Sequence, residues 1–100
     1  MRSVTEQVVN AFLNGRTTSV SNSFTNGKEL YLHGNKIAMF NDKGQLEISL
    51  CGWNTVTTRE RLNGIFEIGG YNLKLSTKKG QAMINGIAID DDRYYAISTF

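Results

Sequence analysis

The chain contains no proline, and it has one cysteine, one tryptophan and one histidine among its 100 residues. Without proline it lacks a common device for blunting an exposed strand edge. With a single thiol, Cys51, no disulfide forms within the chain, and nothing ties it to an oxidising compartment. That thiol has no base at a telling spacing and is expected to be a small buried hydrophobe. The lone His33 has no partner at a spacing that suggests acid–base or metal chemistry. Its place in the run 29–33 predicts a solvent-facing strand residue. No apolar run nears the ~20 residues needed to span a bilayer. No basic start precedes an apolar stretch as in a secretory signal. The expectation is a soluble intracellular protein with no membrane partner.

Charge is also sparse. Charged residues make up 20% of the chain, and the net charge is +2. That permits an anionic partner without demanding one. The densest acidic run, Asp90-Asp91-Asp92, lacks the alternate acids and central glycine of a calcium loop, and predicts a solvated turn. No nucleophile elbow, phosphate-binding loop or paired carboxylate pattern is present. The chain therefore predicts no enzyme, no catalytic residue, no metal site and no cofactor.

Ser, Thr, Asn and Gly fill the space that charge leaves, a mixture suited to a turn-rich β protein. Ser3-Val4-Thr5-Glu6 has the form of a capping box. Val4, Val8, Ala11 and Phe12 follow at helical spacing, widened by Val9 and Leu13, and Asn14-Gly15 closes the run. This predicts a helix over about 4–14. Residues 16–24 predict one strand with a wet face. Asn26-Gly27, Gly34-Asn35 and Asn41–Gly44 predict turns between strands. Leu46, Ile48 and Leu50 should face in, and Gln45, Glu47 and Ser49 out. A second helix is predicted over about 58–67, from the S/T-x-x-E box Thr57-Thr58-Arg59-Glu60 to Gly69-Gly70. Gly64 inside it calls for tertiary support. Strands then follow at 71–76, 81–84, 87–89 and 93–99. The fold class is α+β: an antiparallel sheet of about six to eight short strands with two helices.

The halves show similar order. Asn35-Lys36-Ile37-Ala38 aligns with Asn85-Gly86-Ile87-Ala88, and with one gap Glu47-Ile48-Ser49 falls on Ala96-Ile97-Ser98. A single domain with a pseudo-repeat, 3–50 and 57–100, would place both helices on one sheet face.

The densest cluster of unusual residues is Gly52-Trp53-Asn54-Thr55-Val56-Thr57-Thr58-Arg59-Glu60-Arg61-Leu62-Asn63. A helix start offers free amides and a positive dipole end, so Thr57, Thr58, Arg59 and Arg61 suit an anion, with Trp53 to stack on a base. The alternative is structural. A capping box satisfies its own donors, and a tryptophan at this junction can anchor the core. Packing explains Arg61 and Asn63 least.

The run Gly27-Lys28-Glu29-Leu30-Tyr31-Leu32-His33-Gly34-Asn35-Lys36-Ile37-Ala38, followed by residues 52–63, resembles small proteins of tailed bacteriophages. Their pattern is L-Y-x-x-G-N-x-I-A, then G-W-x-T-x-T-T-x-x-R-L-N. The resemblance covers about residues 26–65 and implies a phage product in the cytoplasm of an infected bacterium. By analogy, such proteins blunt host defence or redirect host machinery. The expected function is a non-enzymatic binding protein that blocks a host protein. The alternative is a module that sequesters nucleic acid or a nucleotide through Trp53, Thr57, Thr58, Arg59, Arg61 and Asn63. Short unprotected strands also favour a homodimer.

Overall fold

The computed structural model describes residues 2–100. Among them the chain forms two α-helices and nine strands, in two antiparallel sheets. The fold is α+β, as the sequence predicts. Helix α1 is Ser3–Leu13 and helix α2 is Val56–Ile68. Strands β1 (Thr18–Val20), β2 (Ser23–Thr25), β3 (Glu29–Leu32), β4 (Asn35–Phe40) and β5 (Leu46–Ile48) form a meander. Strands β6 (Leu75–Lys78), β7 (Gln81–Ile84) and β8 (Ile87–Ala88) form a separate sheet. Strand β9 (Tyr95–Ala96) returns to the first sheet beside β5.

The apolar spacing of α1 buries Val8, Val9, Ala11 and Phe12. Phe12 stacks on Phe40 of β4 at 4.9 Å between ring centroids. Alternation puts Leu30, Leu32, Ala38, Leu46 and Ile48 on the same inner side. Helix α1 lies against β1–β3, and α2 lies against β4, β6 and α1. Leu62, Ile65 and Phe66 of α2 join Leu75, Ala82, Ile84 and Ile89 in the same core cluster. Gly64 is buried within α2, which supplies the support its position requires.

Several boundaries differ from expectation, each for a local reason. The single strand expected over 16–24 is a hairpin that turns at Ser21-Asn22, with Val20 opposite Ser23 and Ser21 at φ 55°. The turn expected at Gly34-Asn35 lies one residue earlier. Leu32 pairs with Asn35, and His33 and Gly34 take φ 51° and 78°. Positive φ at both central residues marks the turn that matches strand twist. His33 is therefore a turn residue and not a strand residue. Ser49 is buried instead of facing out, and its Oγ accepts the Cys51 amide at 3.0 Å. Cys51 is only half-buried, and its thiol donates to the Lys36 carbonyl at 3.0 Å. The strand expected over 71–76 starts only at Leu75 and runs on to Lys78, and the one expected over 93–99 shrinks to Tyr95–Ala96, followed by a 3-10 turn at Ile97–Thr99.

The halves share some geometry. Each helix ends in the same motif, with Arg16 N–H donating to the Ala11 carbonyl and Tyr71 N–H to the Phe66 carbonyl, both at 2.8 Å. Gly15 and Gly70 supply the left-handed residue, at φ 69° and 74°. The ladder between β5 and β9 sets Glu47 opposite Ala96, the residues that the aligned halves equate. Their products differ. The first half builds a five-strand meander, and the second builds a three-stranded sheet plus one added strand.

The end of α1 is wedged against the turn before β3. Gly27 sits at φ 88°, and a Cβ there would stand 2.6 Å from the Gly15 carbonyl oxygen and 2.8 Å from the Arg16 nitrogen. Both obstacles are backbone. Gly80, at φ 80°, has open space around it. Gly80→Ala is expected to cost about 1–2 kcal/mol, the left-handed penalty alone. Gly27→Ala should cost clearly more, about 3 kcal/mol or above, because strain adds to the steric conflict. Urea unfolding of both variants measures the difference; equal losses would contradict the wedge.

Candidate functional site

Helix α2 starts two residues earlier than predicted, at Val56 instead of Thr58. Its N-cap is Thr55, whose Oγ1 accepts the Thr58 amide at 3.2 Å and lies 2.9 Å from Thr58 Oγ1. Glu60 does not serve as a cap. It reaches across to α1, where its Oε1 accepts Thr5 Oγ1 at 2.8 Å and the Arg2 amide at 3.1 Å. The capping box expected at Ser3 is absent too. The N-cap of α1 is Arg2, without a side-chain cap, and Ser3 Oγ accepts from Gln7 within the helix. In both cases the S/T-x-x-E spacing is present but its carboxylate does not close on the cap.

Arg61 points inward from α2 and is 3% exposed. Its Nε donates to Ser23 Oγ at 3.0 Å, Nη1 to Thr5 Oγ1 at 2.6 Å, and Nη2 to Asn22 Oδ1 at 3.3 Å. Its direct partners are neutral. The nearest countercharge is Glu60, reached through Thr5, which accepts from Arg61 and donates to Glu60. Burial pulls the guanidinium pKa down, and Glu60 partly offsets this. Burial also works against the Glu60 carboxylate. The Thr5 hydroxyl, the Arg2 amide and the Arg2 charge outweigh it and leave Glu60 below its ordinary value.

Asn63, one turn beyond Glu60, acts as a piece of strand. Its Nδ2 donates to the Leu75 carbonyl and its Oδ1 accepts the Leu75 amide, both at 2.8 Å. That pair fastens β6 to α2. Arg59 turns back on the chain, and its Nη1 donates to both Asn54 oxygens, with the backbone carbonyl at 3.0 Å. The Asn54 amide in turn donates to Thr77 Oγ1 at 3.2 Å and the Gly80 carbonyl at 3.3 Å. Asn54 is thus clamped between α2 and the β6–β7 turn.

With Asn54 clamped, its neighbour Trp53 projects outward and is 59% exposed. The expectation of a core anchor is overturned. Leu50, buried three residues earlier, supplies apolar packing at this junction. Trp53 instead borders a groove of about 490 Å³. Leu32, Ile37 and Leu50 form its floor, Thr55, Thr57 and Thr58 one wall, and His33 and Asn35 the other side. The volume lies in the range of small-ligand and side-chain pockets.

Of the six residues singled out from sequence, Trp53, Thr57 and Thr58 meet at the groove. Arg59 stands beside it, tied to Asn54, and Arg61 and Asn63 are turned into the fold. Sequence reading did not single out the other lining residues, Leu32, His33, Asn35, Ile37, Leu50 and Thr55. The signal lay in the His33-Gly34 pair. As a two-residue turn it carries the histidine to the closed end of the β3–β4 hairpin, where it lines the groove together with Thr55, Thr57 and Thr58 at the start of α2. Among the described residues no group of acids, histidines or cysteines is placed to hold a metal ion, and no helix is long and apolar enough to cross a membrane.

The geometry defines a small α+β protein with an apolar-floored groove walled by its only tryptophan. The chain belongs to the Kyanoviridae Gp96 protein family, a bacteriophage family whose pattern matches residues 1–100. The phage origin implied by residues 26–65 therefore holds for the whole chain. No curated protein and no solved structure matches it.

Two outcomes test the buried network. Thr5→Val removes the hydroxyl between Arg61 and Glu60 and is expected to cost about 3 kcal/mol. Adding Arg61→Met should recover about 1–2 kcal/mol of the summed single losses, because the charge left without a partner is then gone. Simple additivity in urea unfolding would show that the two side chains are independent. Glu60 adds a pH dependence. Its folded pKa is lowered, so the unfolded chain takes up the proton first. Its contribution is fully present above the ordinary carboxyl range and lost as pH falls through the folded value. Wild type should therefore lose more stability than Glu60→Gln across that acid window. Parallel curves for the two proteins would contradict the assignment.

Proposed function

We propose that this phage protein is a stoichiometric, non-enzymatic binder in the cytoplasm of the infected bacterium. It acts in host takeover or counter-defence by occupying the surface of a host protein. One observation carries this reading: the only tryptophan is more than half exposed at the mouth of an apolar groove. Exposing an indole forfeits much of the gain from its burial. Tryptophans seated in or beside pockets dominate the energetics of protein interfaces. Val56, 63% exposed on the first turn of α2, lies three residues from Trp53 and adds further apolar surface.

The alternative, sequestration of nucleic acid or a nucleotide, draws less support. Its strongest element was a pair of arginines at the helix start. Arg61 spends its three donating nitrogens on Ser23, Thr5 and Asn22, and Arg59 spends Nη1 on Asn54. Polyanion binding relies on cations free to meet phosphates.

Affinity purification from infected cells tests the reading, with tagged wild type and Trp53→Ala in parallel. A host protein should be recovered in near-stoichiometric amount with wild type and lost at least about tenfold with the variant. The substitution is at an exposed position, so its unfolding free energy should stay within about 0.5 kcal/mol of wild type. Identical recovery with both proteins, or recovery of nucleotide alone, would overturn the reading.

A further inference from the structure

The sequence contains Asn-Gly pairs at 14–15, 26–27, 63–64 and 85–86. An asparagine followed by glycine can cyclise, because no Cβ shields the next backbone nitrogen. The fold treats the pairs unequally. We propose that Asn14 is a site of spontaneous covalent modification in the folded protein, converted by water to aspartate and isoaspartate, while Asn26, Asn63 and Asn85 are held intact.

The reaction needs no reagent but water. The Gly15 nitrogen gives its amide proton to solvent and bonds to Asn14 Cγ, closing a succinimide ring. The Cγ–Nδ2 bond breaks, and the nitrogen leaves as ammonia after taking a proton from water. A second water opens the ring at either carbonyl and leaves aspartate or its β-linked isomer.

The other pairs are locked. Asn63 sits inside α2 with Nδ2 and Oδ1 both on Leu75 at 2.8 Å, and Gly64 is buried. Asn85 Oδ1 accepts the Lys74 amide at 2.9 Å, and its Nδ2 donates to the Asn72 carbonyl at 3.1 Å. Asn26 Oδ1 accepts the Lys28 and Glu29 amides at 2.9 and 2.8 Å, and its Nδ2 donates to Glu29 Oε1 at 3.0 Å. The nitrogen that would attack it, on Gly27, donates to Thr25 Oγ1 at 3.0 Å.

Asn14 is held by less. It is the exposed C-cap of α1, at φ −106° and ψ 13°. Its side chain makes one hydrogen bond, from Nδ2 to the Asn10 carbonyl at 2.7 Å, within its own helix. The Gly15 nitrogen reaches the Phe12 carbonyl at 3.4 Å, beyond the ordinary range. The peptide plane must swing to aim that nitrogen at Cγ, and a helix end is where such an opening costs least.

The product alters the fold. A carboxylate replaces the donor to the Asn10 carbonyl and stands at the negative end of the helix dipole. Isoaspartate also lengthens the backbone by a methylene just before Gly15. Gly15 lies so close to Gly27 that a Cβ there would stand 2.6 Å from the Gly15 carbonyl oxygen. The added length therefore presses on the turn before β3.

Peptide mapping by mass spectrometry tests the site, on protein incubated in mildly alkaline buffer, folded and in parallel in urea, then digested under acid conditions. In the folded protein Asn14 is expected to change from amide to acid about tenfold faster than Asn26, Asn63 or Asn85. In urea the rates should converge, because the same dipeptide then reacts without its surroundings. Asn14→Asp reads the effect of the new charge, and its urea midpoint should lie below that of wild type. Faster conversion at Asn26, Asn63 or Asn85 in the folded protein, or equal conversion at all of them, would overturn the proposal. So would folded protein left unmodified at Asn14 after the urea sample has been converted there. A midpoint for Asn14→Asp equal to wild type would contradict the structural effect of the charge.

Discussion

The Arg61 guanidinium is the point on which the surrounding structure depends. It leaves α2, crosses the core and donates to the β1–β2 turn through Asn22, to β2 through Ser23 and to α1 through Thr5. A charge this deeply buried is tolerable only if its donors are satisfied. The hydroxyls and the amide oxygen that satisfy it come from three separate elements. Their mutual positions are therefore fixed by one planar fork with little freedom of geometry. Thr5 then passes the interaction to Glu60, so α1 and α2 are linked twice along one line. Among the described residues no buried side-chain polar atom lacks a partner, which is the condition such a network must meet.

The same logic explains the surface of α2. Asn63 supplies β6 with the donor and acceptor that a neighbouring strand would offer. Arg59 and Asn54 brace the approach to the helix against the β6–β7 turn. The polar residues of this helix thus dock the second sheet and fix the entering chain. Trp53 is left outside because the residue beside it is immobilised and Leu50 already fills the interior. Its exposure follows from constraints on its neighbours, and the groove follows from its exposure.

Much of the fold was legible because short-range chemistry decides it. The α1 stripe, the glycines that end both helices, the Asn26-Gly27 turn and the Leu46–Ile48–Leu50 alternation each depend on residues close in sequence. The failures were at places where a distant element won. Glu60 has the right spacing for a cap, but Thr5 and Arg2 of α1 claim its carboxylate. Arg61 and Asn63 look like free polar residues on a helix, and their partners are 38, 39 and 56 residues away for Arg61 and 12 for Asn63. Trp53 was half legible: its position beside a helix start was clear, but which way it faced depended on Asn54 and the turn at Gly80. The split of 16–24 into two strands hinged on Ser21 taking a left-handed conformation, which serine gives no warning of.

The strand order has a consequence for how the chain assembles during synthesis. Strands β1 to β5 are neighbours in both sequence and space, so each pairing closes only a short loop. They can form in order as the ribosome releases them. The sixth position belongs to β9, which must wait for α2 and the whole second sheet to emerge. Until then the backbone edge of β5 is open to any extended segment nearby. The two-residue β9 is small as a strand, but it is a late seal. The Tyr94 hydroxyl, donating to the Lys36 carbonyl at 2.6 Å, latches that seal to the strand on the other side of β5.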